Sequence, residues 1–197
     1  FINLGKDMDR IEVLRDFNGW SWTTIKQEIE NIDANFKINP INEELSNIIG
    51  KIGEKSCIVP PFMCDYGSNI EIGKNFYANY DCKIVDVAKV RIGDNVLLGP
   101  NVTICTAGHP IHPEARNSGY EYGREITIGS NTWIGMGVLI NPGVKIGKNV
   151  VIGSGAVVTK DIPDNSVAVG NPCKVIKTIT DEDKKYYFKN LRFDIQY

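Results

Sequence analysis

His109 and His112 are the only histidines in the chain, and they stand three residues apart in Gly108-His109-Pro110-Ile111-His112-Pro113. Imidazole is the side chain whose ordinary pKa suits taking a proton from a weak nucleophile, such as a hydroxyl, near neutral pH. A histidine alone in a loop is, however, more often surface decoration than chemistry. Cysteine offers the competing reading. Cys105 lies four residues before His109, but no basic neighbour in sequence would activate its thiol. The five cysteines, Cys57, Cys64, Cys82, Cys105 and Cys173, are odd in number and form no Cys-x-x-Cys pair. Neither a disulfide framework nor a zinc site is expected, and the thiols are read as buried and reduced. Two histidines fall short of a three-histidine metal centre, so no metal is expected. No Gly-x-Ser-x-Gly elbow occurs either, which removes one route to an acyl-enzyme.

The 197 residues suffice for one core with a small appendage. Lys and Arg number 22 against 24 Asp and Glu, a formal charge of -2, which gives no reason to expect nucleic acid or an anionic membrane as partner. No apolar run is long enough to span a bilayer, and Phe1-Ile2-Asn3-Leu4-Gly5 lacks the parts of a secretion signal, so a cytoplasmic location is expected. The chain does not begin with Met, which leaves open what precedes Phe1.

A six-residue period positions these groups. Aliphatic residues recur at Ile128, Ile134, Ile140, Ile146, Ile152 and Val158, with Gly directly after four of them, at 129, 135, 147 and 153. Smaller or β-branched residues follow four positions on, at Thr132, Val138, Val144, Val150 and Ala156. Neither the helical period of 3.6 nor an unbroken strand alternation produces this spacing. A short strand and a bend, three times per coil, does. The same beat runs earlier through Ile52, Ile58 and Cys64, then Ile72, Ala78 and Ile84, then Ile92, Leu98 and Ile104. The expected fold is mainly β, a left-handed parallel β-helix of triangular section, with the repeated aliphatic side chain pointing to the axis and Gly rounding the corner at φ > 0. After Ile104 the beat resumes only at Ile128, so residues 107–125 must leave the prism as a loop, and that loop carries both histidines.

The ends read differently. Trp22, Ile25, Ile29, Ile32 and Phe36 fall at helical spacing, with Thr24 and Gln27 as a capping-box start, and further short helices are expected over Asp7–Leu14 and Ile41–Ile49. The domain reading is therefore a helical segment over 1–50, the β-helix over 51–180 and a polar tail over 181–197.

Several motifs carry a family resemblance: Pro60-Pro61-Phe62, Asp65-Tyr66-Gly67-Ser68-Asn69-Ile70, Asn75-Phe76-Tyr77-Ala78-Asn79, Ala107-Gly108-His109-Pro110, Thr132-Trp133-Ile134-Gly135, Asn141-Pro142-Gly143-Val144 and Gly170-Asn171-Pro172-Cys173. From about Ile52 to Phe188 the chain resembles the maltose and galactoside O-acetyltransferases. The resemblance implies a homotrimer with active sites between neighbouring prisms, acetyl-CoA as donor and a sugar hydroxyl as acceptor, with direct transfer in a ternary complex. His109 is then the general base, and His112 stays decorative. Asn79 is the side chain implied to hold acceptor or intermediate. Acceptor binding is carried to Asp65, Tyr77, Asn79 and Asp86, and to Asp16 near the N-terminus. The alternative for Asp65 and Asn79 is that they are turn residues at prism corners. Cofactor contacts are implied at Trp133, Met136, Ser154, Thr159, Lys160, Lys174 and Lys177. Met136 departs from the family, which has Ser there, so only its backbone N–H could meet an oxyanion. Lys174 and Lys177 stand where relatives often carry Arg, which would loosen a phosphate grip, and a solvated lysine face is the plain alternative. The rival reading is a hexapeptide acetyltransferase acting on an antibiotic or an amino sugar.

Overall fold

The computed structural model describes residues 47–193. The expected helices before residue 47, and Asp16 with them, lie outside the described residues.

Every repeat of the six-residue beat is one short strand and one corner, and equivalent strands of successive coils stack in parallel to make three faces. The first face holds Lys51–Ile52, Ile70–Ile72, Val90–Ile92, Ile126–Ile128 and Lys145–Ile146. The second holds Cys57–Ile58, Tyr77–Ala78, Leu97–Leu98, Trp133–Ile134, Val151–Ile152 and Ser166–Val169, and is closed by the antiparallel strand Lys174–Thr178. The third holds Phe62–Cys64, Cys82–Val85, Thr103–Cys105, Leu139–Ile140 and Val157–Val158. Register is kept from coil to coil: Ile84 stands opposite Cys64 on one side and Ile104 on the other. The architecture is a parallel β-helix whose axis is filled by the repeated aliphatic residues, with Ile104, Ile134, Ile140, Ile152 and Val158 fully buried. Burying an aliphatic side chain in each strand contributes about 1.5–3 kcal/mol apiece relative to exposure, which is what holds strands only two residues long.

The glycines of the beat do something other than expected. Gly129, Gly135, Gly147 and Gly153 are not at positive φ. A Cβ on Gly129 would sit 2.5 Å from the Gly147 carbonyl oxygen, and one on Gly135 would sit 2.7 Å from the Ser154 nitrogen. These glycines let the next coil approach. The left-handed conformation falls farther along each corner: on Gly137 and Gly155 after Gly135 and Gly153, and at the edge between the first and second faces on Asn75, Asn95, Asn131, Asn149 and Asn165, with φ between 53° and 60°. Asn accepts that region because its side chain can hydrogen-bond locally. Here the five amides bond one to the next up the edge between the first and second faces, at 2.8–3.1 Å.

Other expectations shift in detail. Cys82 and Cys173 are buried, but Cys57 and Cys105, at outward strand positions, are only half-buried, as is Cys64, which points inward in the first described coil and packs against the core. The segment read as a polar tail has regular structure of its own among the described residues. A 3-10 turn over Asp181–Lys185, capped through Thr180 and Asp183, leads into the hairpin Tyr186–Phe188 with Leu191–Arg192.

Candidate active site

The loop over 107–125 leaves the edge between the third and first faces as a two-stranded ribbon, Ala107–Gly108 against Tyr122–Gly123, with a short helix Pro113–Asn117 beyond it. Gly108 lets the Tyr122 ring lie across the ribbon, since a Cβ there would stand 2.5 Å from the ring as placed. Thr106, fully buried at the ribbon's root, donates its hydroxyl to the Val85 carbonyl at 2.8 Å and accepts the Ala88 N–H at 2.9 Å. Its own carbonyl accepts the Arg124 N–H where the ribbon returns.

His109 follows the ribbon's outgoing strand, with its side chain 54% exposed. Its Nδ1 lies 3.1 Å from the Tyr120 carbonyl oxygen. A carbonyl only accepts, so Nδ1 carries the proton and Nε2 presents a lone pair. The Glu121 carboxylate stands 3.9 Å from that Nε2, where it would stabilise an imidazolium. His112 caps the short helix without a side-chain hydrogen bond and is exposed. The Cys105 thiol donates to the Ala107 carbonyl at 3.5 Å, and among the described residues it has no hydrogen bond to a basic side chain.

The residues implied for acceptor and cofactor fall into two columns, one at each end of the third face. At the edge shared with the first face stand Asp65, Asp86, the His109 ribbon, Thr159 and Lys160. At the edge shared with the second face stand Asn79, Met136 and Ser154, with Tyr77 and Trp133 on the second face beside them. The strand Cys82–Val85 separates Asn79 from Asp86. Four extended residues span about 13 Å, so within one chain Asn79 and His109 do not meet.

Asp86 does not point to an acceptor. It is fully buried, and its carboxylate accepts the backbone N–H groups of Asp65, Tyr66 and Asn69 at 3.0, 2.9 and 3.3 Å. Asp65 itself is exposed on the turn so held. Asn79 is 4% exposed; its side-chain carbonyl accepts the Tyr80 N–H at 2.9 Å, while its amide nitrogen has no partner among the described residues. Trp133 and Met136 are more than half exposed and Tyr77 is half-buried. Ser154, Thr159, Lys160 and Lys174 are exposed. Lys177 is paired with Asp183, a competitor for any phosphate.

Three neighbours were not singled out from sequence. Arg124, Tyr122 and Asn141 line a depression of about 500 Å³ with Pro142 and Thr159, on the upper side of the ribbon. The break in the six-residue beat is the signal for Tyr122 and Arg124, which lie where the loop returns, and Asn141 belongs to the Asn141-Pro142-Gly143-Val144 motif. A larger depression of about 690 Å³ lies between Arg91, Lys145 and Asp164 along the first face. Among the described residues no three of His, Cys, Asp or Glu gather as a metal site, and no helix is long and apolar enough to cross a membrane.

Two family models match: bacterial transferase hexapeptide (six repeats) over residues 125–160, and hexapeptide repeat of succinyl-transferase over residues 89–111. Galactoside O-acetyltransferase of Escherichia coli is 54% identical over 150 residues, covering 76% of this chain and 74% of that protein. A maltose O-acetyltransferase from Clostridium difficile superposes with a TM-score of 0.70 at 57% identity, over 71% of this chain and 74% of that one. A galactoside acetyltransferase solved with coenzyme A superposes with a TM-score of 0.76 at 44% identity, over 96% of this chain and all of that one.

Proposed function

The chain belongs to the galactoside and maltose O-acetyltransferase family of hexapeptide-repeat acyltransferases, and from that premise we propose that it moves an acetyl group from acetyl-CoA to a hydroxyl of a sugar, with His109 as general base. The observation that carries the assignment is the hydrogen bond from His109 Nδ1 to the Tyr120 carbonyl, which leaves Nε2 as the proton acceptor on an exposed ribbon. Nε2 takes the hydroxyl proton as the sugar oxygen attacks the thioester carbonyl. The tetrahedral intermediate then collapses, the C–S bond breaks, and the imidazolium returns the proton to the departing thiolate. Glu121 steadies the imidazolium between those two steps. The Met136 N–H and the Asn79 amide are the donors proposed for the oxyanion and the acceptor.

Because the two columns lie at opposite ends of one face, the site is proposed to form between protomers of a homotrimer. One protomer contributes the His109 ribbon with Asp65, Thr159 and Lys160; its neighbour contributes Asn79, Tyr77, Trp133, Met136 and Ser154. The depression beside Arg124 and Thr159 suits the cofactor's polar arm, with Arg124 adding a guanidinium that the sequence pattern did not assign.

The test is thiol release from acetyl-CoA across a panel of mono- and disaccharides and hydroxylated or amino-bearing antibiotics, for wild type and His109→Ala. Sugar-dependent release that falls by about 10²-fold or more in the variant is expected, the lower range for losing a general base. Release only with an antibiotic or amino sugar would move the acceptor class, and undiminished sugar turnover in the variant would remove His109 from the mechanism.

A further inference from the structure

Asp86 is a carboxylate taken wholly out of water with no cation beside it among the described residues. A charge so placed is tolerated only where hydrogen bonds replace the lost solvent. Its donors all come from one five-residue turn. Asp65 and Tyr66 N–H point at one oxygen, Asn69 N–H at the other, and the Asn69 side chain returns a bond to the Asp86 carbonyl at 2.8 Å. The turn therefore wraps an internal anion in the way a backbone nest wraps a ligand. Packing alone would be met by an apolar residue, as it is by Ile84 and Ile104 on the neighbouring strands. What the carboxylate adds is direction: it sets where the Asp65 turn sits along the edge.

The same edge continues upward without a break. Asp86 and Thr106 each follow directly on the last paired residues of their strands, Val85 and Cys105. Thr106 ties Val85 and Ala88, on either side of Asp86, to the Arg124 N–H where the ribbon returns. The turn bearing Asp65 and the ribbon bearing His109 are thus two outputs of one buried polar column. We infer that Asp86 is a positioning residue for the acceptor. Its buried carboxylate holds the Asp65 turn at a fixed height below His109, and Thr106 anchors the ribbon to the same point. The inference rests on the proposed function, because it treats the Asp65 turn as the acceptor's seat.

The experiment compares wild type, Asp86→Asn and Asn69→Ala in steady-state kinetics and in amide hydrogen exchange. Asn keeps one acceptor oxygen but turns an NH2 group toward backbone donors. In Asp86→Asn the KM for the sugar should rise about tenfold, the scale of a lost charge-assisted bond. The KM for acetyl-CoA and the acceptor-independent hydrolysis of acetyl-CoA should stay within about twofold. The Asp65, Tyr66 and Asn69 amides should exchange about tenfold faster while those of Ile104 and Ile140 are unchanged. Asn69→Ala, which spares the carboxylate and alters a half-buried rim, should move the same quantities about threefold, and it carries the test if Asp86→Asn does not fold. A wild-type sugar KM and unchanged exchange in the variants would overturn the inference. So would a loss of equal factor in sugar transfer and acceptor-independent hydrolysis, which is what a lower folded fraction produces. A wild type without sugar-dependent turnover would instead overturn the proposed function, and the exchange data would still decide whether Asp86 orders the turn.

Discussion

Lys177 illustrates how one side chain's chemistry depends on a neighbour that pattern matching does not supply. Resemblance assigns it to the cofactor phosphates, but its ammonium is paired with Asp183. That hydrogen bond, and after it the Thr180 N–H, holds the Asp183 carboxyl below the usual carboxylate range. A depressed carboxyl stabilises the folded state at pH above its unfolded value, and the contribution is lost as pH falls through the folded one. The pair therefore persists through neutral pH and competes with any phosphate. If Lys177 serves the cofactor, Asp183→Asn should lower the KM for acetyl-CoA by about two- to fivefold, the worth of an exposed pair, with the sugar KM unchanged. Added salt should erase the difference between variant and wild type. An unaltered acetyl-CoA KM in low salt would leave Lys177 to the solvated surface.

At the level of the element, the corner between the first and second faces shows two residue types dividing one task. Glycine permits the close approach of coils, and asparagine takes the left-handed turn and ties coils together through its amide. Asn95 bonds both Asn75 and Asn131, so Asn95→Ala removes two side-chain bonds and leaves Ala at φ 56°. A loss of about 1–3 kcal/mol is expected, read from the midpoint of urea unfolding. Lys55, at φ 57°, occupies the next rung down without an amide to offer. Lys55→Asn should extend the ladder and raise stability by about 0.5–1 kcal/mol. A destabilised Lys55→Asn would show that the ladder's value lies in the turn and not in the bonds.

Across the whole molecule the three faces differ in kind. Outward positions on the first face carry Lys51, Glu71, Arg91 and Lys145, with Arg91 paired to Glu71 and Glu125. Those on the second carry Tyr77, Leu97, Trp133, Val151 and Val167, and Leu97 and Trp133 are about half exposed. An apolar face of this kind favours a partner, and a charged one favours water. The site proposed between protomers predicts a sharp outcome. His109→Ala and Asn79→Ala should each be inactive alone, yet trimers reassembled from an equal mixture should recover about a quarter of wild-type activity, the share of interfaces in which both intact residues meet. No recovery in trimers shown by mass to be mixed would place the whole site within one chain.

Much of this was legible in order alone. The six-residue beat determined the β-helix, because a strand-and-corner repeat buries one aliphatic residue per strand and no other periodic structure does so with that spacing. The gap between Ile104 and Ile128 determined the loop and its histidines for the same reason, since residues off the beat cannot stay in the wall. What lay beyond the sequence was direction and distance. Asp86 and Asp65 are both carboxylates beside strands of the third face, yet one turns inward to three backbone donors and the other stays in water. Nothing in residue type distinguishes them, because the donors that claim Asp86 belong to a coil some twenty residues away. Likewise Asn79 and His109 are 30 positions apart, a figure that says nothing of their lying at opposite ends of one face. Stacking of coils decides that, because each corner of the prism is reached only after a strand has crossed a face.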